Sequence, residues 1–324
     1  MSNRLIRNTA ILAKLETTYG LDAIPTGAAN AMLVSNLSYP NFNAQLVDRD
    51  NIRPYLGASE QLTGTRYIEM GFDIELVGSG SAGVAPAWGA PLRACGFAET
   101  LTATTRVDYT PISTAQESVT IYWYDDGLLH KATGVRGDAT LKLTAGGRPV
   151  ISFKFTGIYS TPTPAANPSV TLTAFKTPQV VIDANSGDVL WDATHTPTGA
   201  PALTGGTAYP SQGLEIAFGN TAPFTPLLGG ETVDITARTI TSKISLDISA
   251  AQEAAFMADV ELATLSTLGL QHGTVVGNKV LVFAPAVQKT NPQKVEVNGK
   301  RLVSYDLRLV PVSGNDELRI VTSF

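Results

Sequence analysis

The sequence predicts a mainly β fold made of two tandem units, each with a short flanking helix. Three observations carry that expectation. The 324 residues include 29 Gly and 19 Pro, set among Thr-, Ser- and Val-rich stretches, as many short strands joined by turns require. Several segments alternate apolar and polar residues with a period of two. A loop-plus-strand pattern also occurs twice. Arg53-Pro54-Tyr55-Leu56-Gly57 leads into Tyr67–Leu76, and Thr225-Pro226-Leu227-Leu228-Gly229 leads into Thr239–Ser249. Gly57 and Gly229 are 172 residues apart, while Phe72-Asp73-Ile74 and Leu246-Asp247-Ile248 are 174 apart. Anchors that agree this closely indicate an internal duplication, and a repeat of that length frames every smaller motif.

Composition narrows the function. Hydrophobic residues make up 44% and charged residues 16%, enough apolar material for real cores under a sparsely charged surface. The net charge of −5 argues against a sequence-reading DNA binder, which is normally basic. A mildly acidic surface repels nucleic acid and suits passage rather than capture. The single cysteine, Cys95, excludes an intrachain disulfide and a zinc site built on several thiolates. No apolar run approaches the ~20 residues that span a bilayer. Met1–Arg7 has two arginines but no long apolar stretch, so it reads as a mature, intracellular start rather than a secretion signal.

Taken in order, residues 1–35 read as an N-terminal arm. Asn8–Glu16 has a short helical pattern that Thr17–Gly20 stops. Such an arm is either a frayed terminus or a segment that orders against a neighbouring subunit. Residues 36–160 form the first unit. Ala31–Leu37 reads as a strand, and Asn43–Thr65 as a long polar loop of the kind that is usually functional or disordered. In Arg66–Val77, Glu69, Asp73 and Glu75 lie on one face, opposite Phe72, Ile74 and Leu76. Gly78-Ser79-Gly80-Ser81 reads as a flexible turn. Pro86–Phe97 reads as a short helix, with Pro91 early, Gly96 at its end, and Trp88, Leu92 and Cys95 on one stripe. Strands follow at Thr104–Thr110, Ser118–Tyr124, Leu128–Thr133, Asp138–Thr144 and Val150–Tyr159, with Asp125-Asp126-Gly127 as a hairpin turn.

Residues 161–178 form a Pro/Thr-rich linker, stiff and extended through Pro162, Pro164 and Pro168. Residues 179–324 form the second unit. Its strands read as Gln179–Leu190, Gly213–Phe218, Ile235–Ile248, Lys279–Phe283 and Arg301–Val310. A helix over Ser249–Asp259 is capped by Ser249, with Glu253 in its first turns. Gly137-Asp138 matches Gly277-Asn278, which implies that the second copy lacks a hairpin equivalent to Ser118–Lys131.

No catalytic, cofactor or metal site emerges. His130, His195 and His272 stand apart, without ligand spacing, and His272 reads as a turn or interface residue. Asp125-Asp126 reads as a solvated hairpin tip rather than an acid/base pair. Gly78–Gly83 has the glycine spacing of a dinucleotide loop but neither the βαβ context nor the Lys-Ser/Thr ending of a phosphate loop. Tyr122-Trp123-Tyr124 reads as core and rim packing rather than a base-stacking platform.

Certain stretches resemble a known family. These are Gly64–Tyr67, Pro86–Glu99, Val107–Pro111, Gly134–Asp138 and Phe153–Gly157, then Leu270–Thr274, Phe283–Gln288, Asp306–Pro311 and Gly314–Glu317. Their wording is similar to that of the major tail tube proteins of long, flexible-tailed bacteriophages. The resemblance implies β-sandwiches whose sheets join laterally into a ring-shaped β-barrel around a channel. Rings stack through a long inter-strand loop and terminal arms. It implies partners as well: further copies of the chain, the tape measure protein and double-stranded DNA in the lumen, and tail terminator and baseplate proteins. It places the protein in the virion tail, assembled in the host cytoplasm, as a conduit for genome ejection. The usual member carries one tube domain and forms hexamers. Two copies favour a pseudo-hexameric trimer, against a hexamer of one tube domain plus a decorating domain. Asn43–Thr65 and Asn220–Thr236 are candidates for stacking contacts, and Glu69, Asp73, Glu75 and Asp247 for the bore. A virion surface or receptor-binding module and a glycan-cleaving hydrolase are the competing classes.

Overall fold

Extended chain dominates wherever apolar residues recur at every second position. The computed structural model describes residues 4–324, mainly as antiparallel β structure. Strand β1 (Thr9–Leu15) pairs along its whole length with Val119–Asp125 and buries Ile11, Leu12 and Ala13. The helical pattern expected over Asn8–Glu16 is thus not realised, because a short local propensity yields to a full ladder and burial on both faces.

Strands β2 (Ser35–Val47) and β3 (Leu62–Glu75) form a long hairpin. Register shifts within it let Asn43, Ala44, Leu46 and Val47 stay paired around an unpaired Gln45, so the expected loop Asn43–Thr65 shrinks to residues 48–61. Helix α1 (Gly89–Arg93) follows, with Trp88, Leu92 and Cys95 buried as expected. An unforeseen strand, β4 (Phe97–Thr102), pairs with β5 (Arg106–Pro111). Strand β6 (Val119–Asp125) turns through Asp126-Gly127, at φ +41° and +93°, into β7 (Leu128–Thr144). The two strands expected over Leu128–Thr144 are one, bent by a register shift. Strand β8 (Val150–Tyr159) has the expected bounds.

The Pro/Thr-rich segment lies along the first unit. Thr163-Pro164 bridges to Leu128-Leu129, and the Thr171 N–H donates to the Gly27 carbonyl at 2.9 Å. The strand expected at Gln179–Leu190 is instead a 3-10 turn at Asp183–Asn185 and a short β9 (Val189–Trp191). The run Asp183-Ala184-Asn185-Ser186-Gly187-Asp188 carries turn chemistry that outweighs its apolar flanks. Then come β10 (Ser211–Ala217), the hairpin of β11 (Phe224–Leu227) and β12 (Gly230–Val233), and β13 (Thr241–Leu246). Helix α2 (Ala250–Glu261) begins at Ser249, which forms a reciprocal capping box with Gln252. Strands β14 (Leu265–His272), β15 (Val280–Val297), β16 (Lys300–Leu309) and β17 (Arg319–Thr322) complete the chain.

One antiparallel strand order occurs in both halves. The first reads β2-β3-β8-β7-β6, and the second β10-β13-β16-β15-β14. In both, a helix follows the second strand. The registers also correspond. Ile74 faces Ile151 and Leu246 faces Val303; Ile121 faces Ala132 and Leu268 faces Ala284. In this alignment Ile74 matches Leu246, 172 residues on, so the expected match of Phe72-Asp73-Ile74 to Leu246-Asp247-Ile248 at 174 is corrected to Ile244-Ser245-Leu246. The pairing of Gly137-Asp138 with Gly277-Asn278 is therefore corrected: Asp138 faces Lys154, and the residue facing Asp306 is Thr290. Nor is a hairpin like Ser118–Lys131 missing, since β14 and β15 supply it. The β4–β5 hairpin has no equivalent in the second strand order.

The halves share one core. Phe97 packs on Phe218 with ring centroids 4.7 Å apart, and a single buried cluster runs from Ile11 to Ile320. Gly213–Ala217 of β10 lies opposite Thr140–Thr144 of β7, and β17 pairs with both β15 and β5. The Gly78–Ser81 turn belongs to this joint rather than swinging free. Gly78 and Gly80 N–H groups donate to Asn278 and Gly277 carbonyls, and a Cβ on Gly78 would sit 2.1 Å from the Gly277 oxygen. Only glycine permits so close an approach of two backbones.

Candidate functional site

Unsatisfied edges and projecting tips, not a cleft, distinguish this molecule. Every backbone N–H and C=O along a strand edge needs a partner. Among the described residues, β2 has a strand partner only on its β3 side, and Gln293–Val297 of β15 have one only on their β16 side. Apolar groups are exposed on the first of these, including Tyr39, Phe42, Leu46 and Val47.

Two tips project. In the β2–β3 hairpin, residues 48–61 are laced internally: Arg49 and Arg53 both pair with Glu60, and the Gln61 amide donates to Asp48 at 2.6 Å. Ile52 and Leu56 nevertheless stand fully exposed. The β11–β12 hairpin carries the matching Leu228, also fully exposed, before a glycine at φ +90°. This second hairpin folds back on the first unit. Phe224 stacks on Tyr67 at 5.1 Å, and the Arg136 guanidinium donates to the Val233 carbonyl and to Asp234 at 2.8 and 2.6 Å.

The sheet face opposite the core is polar and mixed in charge. Glu69 is exposed and Asp73 and Glu75 half-buried, while Met70, Phe72 and Ile74 point into the core, as the alternation predicts. All four candidate bore carboxylates are engaged: Glu69 by Asn43, Asp73 by Asn36, Glu75 by Arg148 and Asp247 by Lys300. Lys154, Lys243 and Arg308 are exposed on strands β8, β13 and β16 at alternate positions to core residues, so the face is not purely acidic. Two shallow concavities lie on it, of 440 Å³ beside Glu69 and Lys154 and of 620 Å³ beside Lys243 and Arg308.

The remaining polar candidates are structural. His195 is buried, stacks on Phe283 at 5.4 Å, and has its pKa pushed down to about 4 by lost hydration, with Arg319 and Arg106 adding to the effect. His272 is a buried strand residue rather than a turn residue, held between the Ser186 hydroxyl at 2.8 Å and the Gln179 carbonyl at 3.0 Å. His130 is shifted downward by burial, and burial holds the Cys95 thiol well above its usual range. Asp125 and Asp126 are not merely solvated: they receive Arg4, the Leu5 N–H and Asn8, which fastens the N-terminal segment to the β6–β7 turn. Trp123 and Tyr122 are core residues, as expected. Among the described residues no cluster of His, Cys, Asp and Glu is arranged to hold a metal ion, and no helix is long and apolar enough to cross a membrane.

The sequence reading missed Gln293–Val297 and the β11–β12 strands. A signal existed for the first. Val295-Glu296-Val297-Asn298-Gly299 places an Asn-Gly turn, at φ +50° and +79°, after alternating apolar residues.

Unpaired strand edges and exposed apolar tips suit a protein whose surface is covered by further chains. The chain belongs to the phage tail tube protein family, whose model matches residues 6–309. No curated protein matches the sequence. Membership brings a structural role in the tail tube, self-association into that tube and a place in the tail of the virion.

Proposed function

We propose that the protein closes into rings that stack as the tail tube and form the channel through which the genome is ejected, with no catalytic role. The single observation that carries this reading is that two unpaired edges, β2 and Gln293–Val297, end one continuous antiparallel run of strands, β2-β3-β8-β7-β10-β13-β16-β15. Two different edges that meet make a head-to-tail contact, which closes into a ring when the rotation permits.

Units 36–160 and 179–324 are two copies of one tube domain, joined by 161–178 and preceded by the 1–35 arm. The repeated strand order and matched registers support the duplication. Two copies per chain give a trimer with pseudo-sixfold symmetry. The polar sheet face lines the channel, where interspersed acids and bases offer DNA no continuous cationic stripe to bind. Tape measure protein and double-stranded DNA pass through the lumen, while tail terminator and baseplate proteins meet the tube ends. Assembly takes place in the host cytoplasm. Residues 48–61 and the Leu228 tip make the stacking contacts.

Negative-stain electron microscopy of the purified protein tests the reading. Hollow tubes with three chains per ring are expected. A fixed small oligomer that binds a cell-surface ligand would favour a receptor-binding module instead.

A further inference from the structure

The seam between neighbouring subunits is written inside one subunit. We infer that β2 of one chain pairs antiparallel with the Gln293–Val297 edge of the next, in the register that β10 keeps with β7 within the chain, Ser38 opposite Val295. The inference rests on the ring reading above and adds the partner strands and their alignment.

In the first half, β7 is flanked over Thr140–Thr144 by β8 on one side and β10 on the other. Its counterpart in the strand order is β15, flanked over Gln293–Val297 by β16 alone. The strand that fills the gap in the first case is β10, the leading strand of the second half. The counterpart of β10 is β2, the leading strand of the first half, and its outer edge is free. A chain therefore carries one joint of this type complete and the two separated halves of another.

Register follows from shared partners. Glu215 faces Lys142 across the internal joint. Glu215 also faces Lys243, and Lys142 faces Val150. Lys243 occupies the ladder position of Gly71, which faces Ser38; Val150 occupies that of Leu302, which faces Val295. Ser38 and Val295 are thus the equivalents of Glu215 and Lys142.

Burial shows what the missing strand does. Where β7 covers β10, Leu214 and Ile216 are 2% and 0% exposed. At the uncovered edge, Tyr39, which lies between Ser38 and the bulged position opposite Met70, remains 40% exposed. The packed hairpin extends the analogy. Phe224 rests on Tyr67 of the preceding unit, and the residue at its place in the loop of the first half is Ile52, which is fully exposed.

Cysteine cross-linking tests the seam. Directly opposed residues in an antiparallel pair lie about 4.5–5.5 Å apart at Cα, within disulfide reach, whereas a two-residue slip along the strand leaves them roughly 8 Å apart, beyond it. Cys95 is fully buried and does not compete. Glu215→Cys with Lys142→Cys serves as the intrachain control, giving a faster-migrating single chain on a non-reducing gel. Ser38→Cys with Val295→Cys is expected to give covalently closed trimers after mild oxidation of assembled protein, with roughly ten-fold less product from Ser38→Cys paired with Gln293→Cys or Val297→Cys. Tubes seen by microscopy that give no β2–β15 cross-link, or one dominated by a shifted pair, overturn the seam while leaving the tube reading intact. Wild-type protein that never leaves the monomeric state overturns both.

Discussion

Burial, more than sequence context, sets the charge of the histidines. The His195 pKa lies near 4 in the folded chain against an ordinary value of about 6.5 when unfolded. Between those values the unfolded chain holds a proton that the folded chain does not, so stability is complete above pH ~6.5 and is lost as the pH falls towards 4. His130 and His272 are displaced in the same direction and add to the effect. A melting temperature that declines over that window is expected by calorimetry, and His195→Leu should flatten the decline; an unchanged slope would show that other groups govern it. Lys289 presents a second case. Its side chain is fully buried, with its ammonium over the rings of Trp191 and Phe256 and 2.6 Å from the half-buried Asp259. The partners are therefore unequal. Asp259→Ala strands a cation in the core and should cost about 3 kcal/mol, whereas Lys289→Met leaves a carboxylate that still reaches water and should cost clearly less. Denaturant titration of the two variants distinguishes them. Neither environment was readable from sequence, because both are made by residues that lie far apart along the chain.

At the scale of elements, local chemistry was the most legible where it was strongest. Helix α2 announces itself by Ser249 and the Ala-rich run behind it, and the reciprocal Ser249–Gln252 cap is realised. Ser249→Ala should lower stability by about 1 kcal/mol, measured by urea unfolding, with little change in the m-value. The hairpin at Asp126-Gly127 is equally plain in the sequence, and the Asn298-Gly299 hairpin carries the same signal. Strand β1 was misread because seven residues with apolar groups at irregular spacing do not declare their period; the ladder with β6 decides it. Gly213 marks the joint of the two units. It sits at φ +98°, and a Cβ there would lie 1.9 Å from the Leu143 carbonyl oxygen. Gly213→Ala should therefore push β10 from β7 and lower the melting temperature, at a cost of about 1–3 kcal/mol. An unperturbed melt would mean that the joint yields without loss.

For the whole molecule, surface chemistry separates folding from assembly. Leu56 and Leu228 are fully exposed and touch no core. Replacing both by Asp should leave the melting temperature of the single chain within about 0.5 kcal/mol equivalent of the parent. The same pair of changes should abolish long tubes, because a charge would be buried at each ring contact. Sedimentation and microscopy read the second effect. Full-length tubes from the double variant would show that stacking runs through other residues. The carboxylate face shows a limit of sequence reading at this scale. Alternation located Glu69, Asp73 and Glu75 on one side of β3, but not the lysines and arginines that β8, β13 and β16 bring to the same face. Strand order is needed for that.

The sequence by itself determined the class of fold, the family resemblance, two helices, the long strands and, along strands such as β3, the face on which each side chain lies. Those properties are local: periodicity, caps and turn residues act within a few positions. Tertiary structure alone decided that β1 is a strand, that Gly78–Ser81 is held against Gly277-Asn278 rather than free, that β4–β5 has no equivalent in the second strand order, and which edges remain unpaired. Each of those depends on which distant segment arrives to satisfy a backbone or cover an apolar face, and pairing over such separations leaves no mark in the spacing of nearby residues.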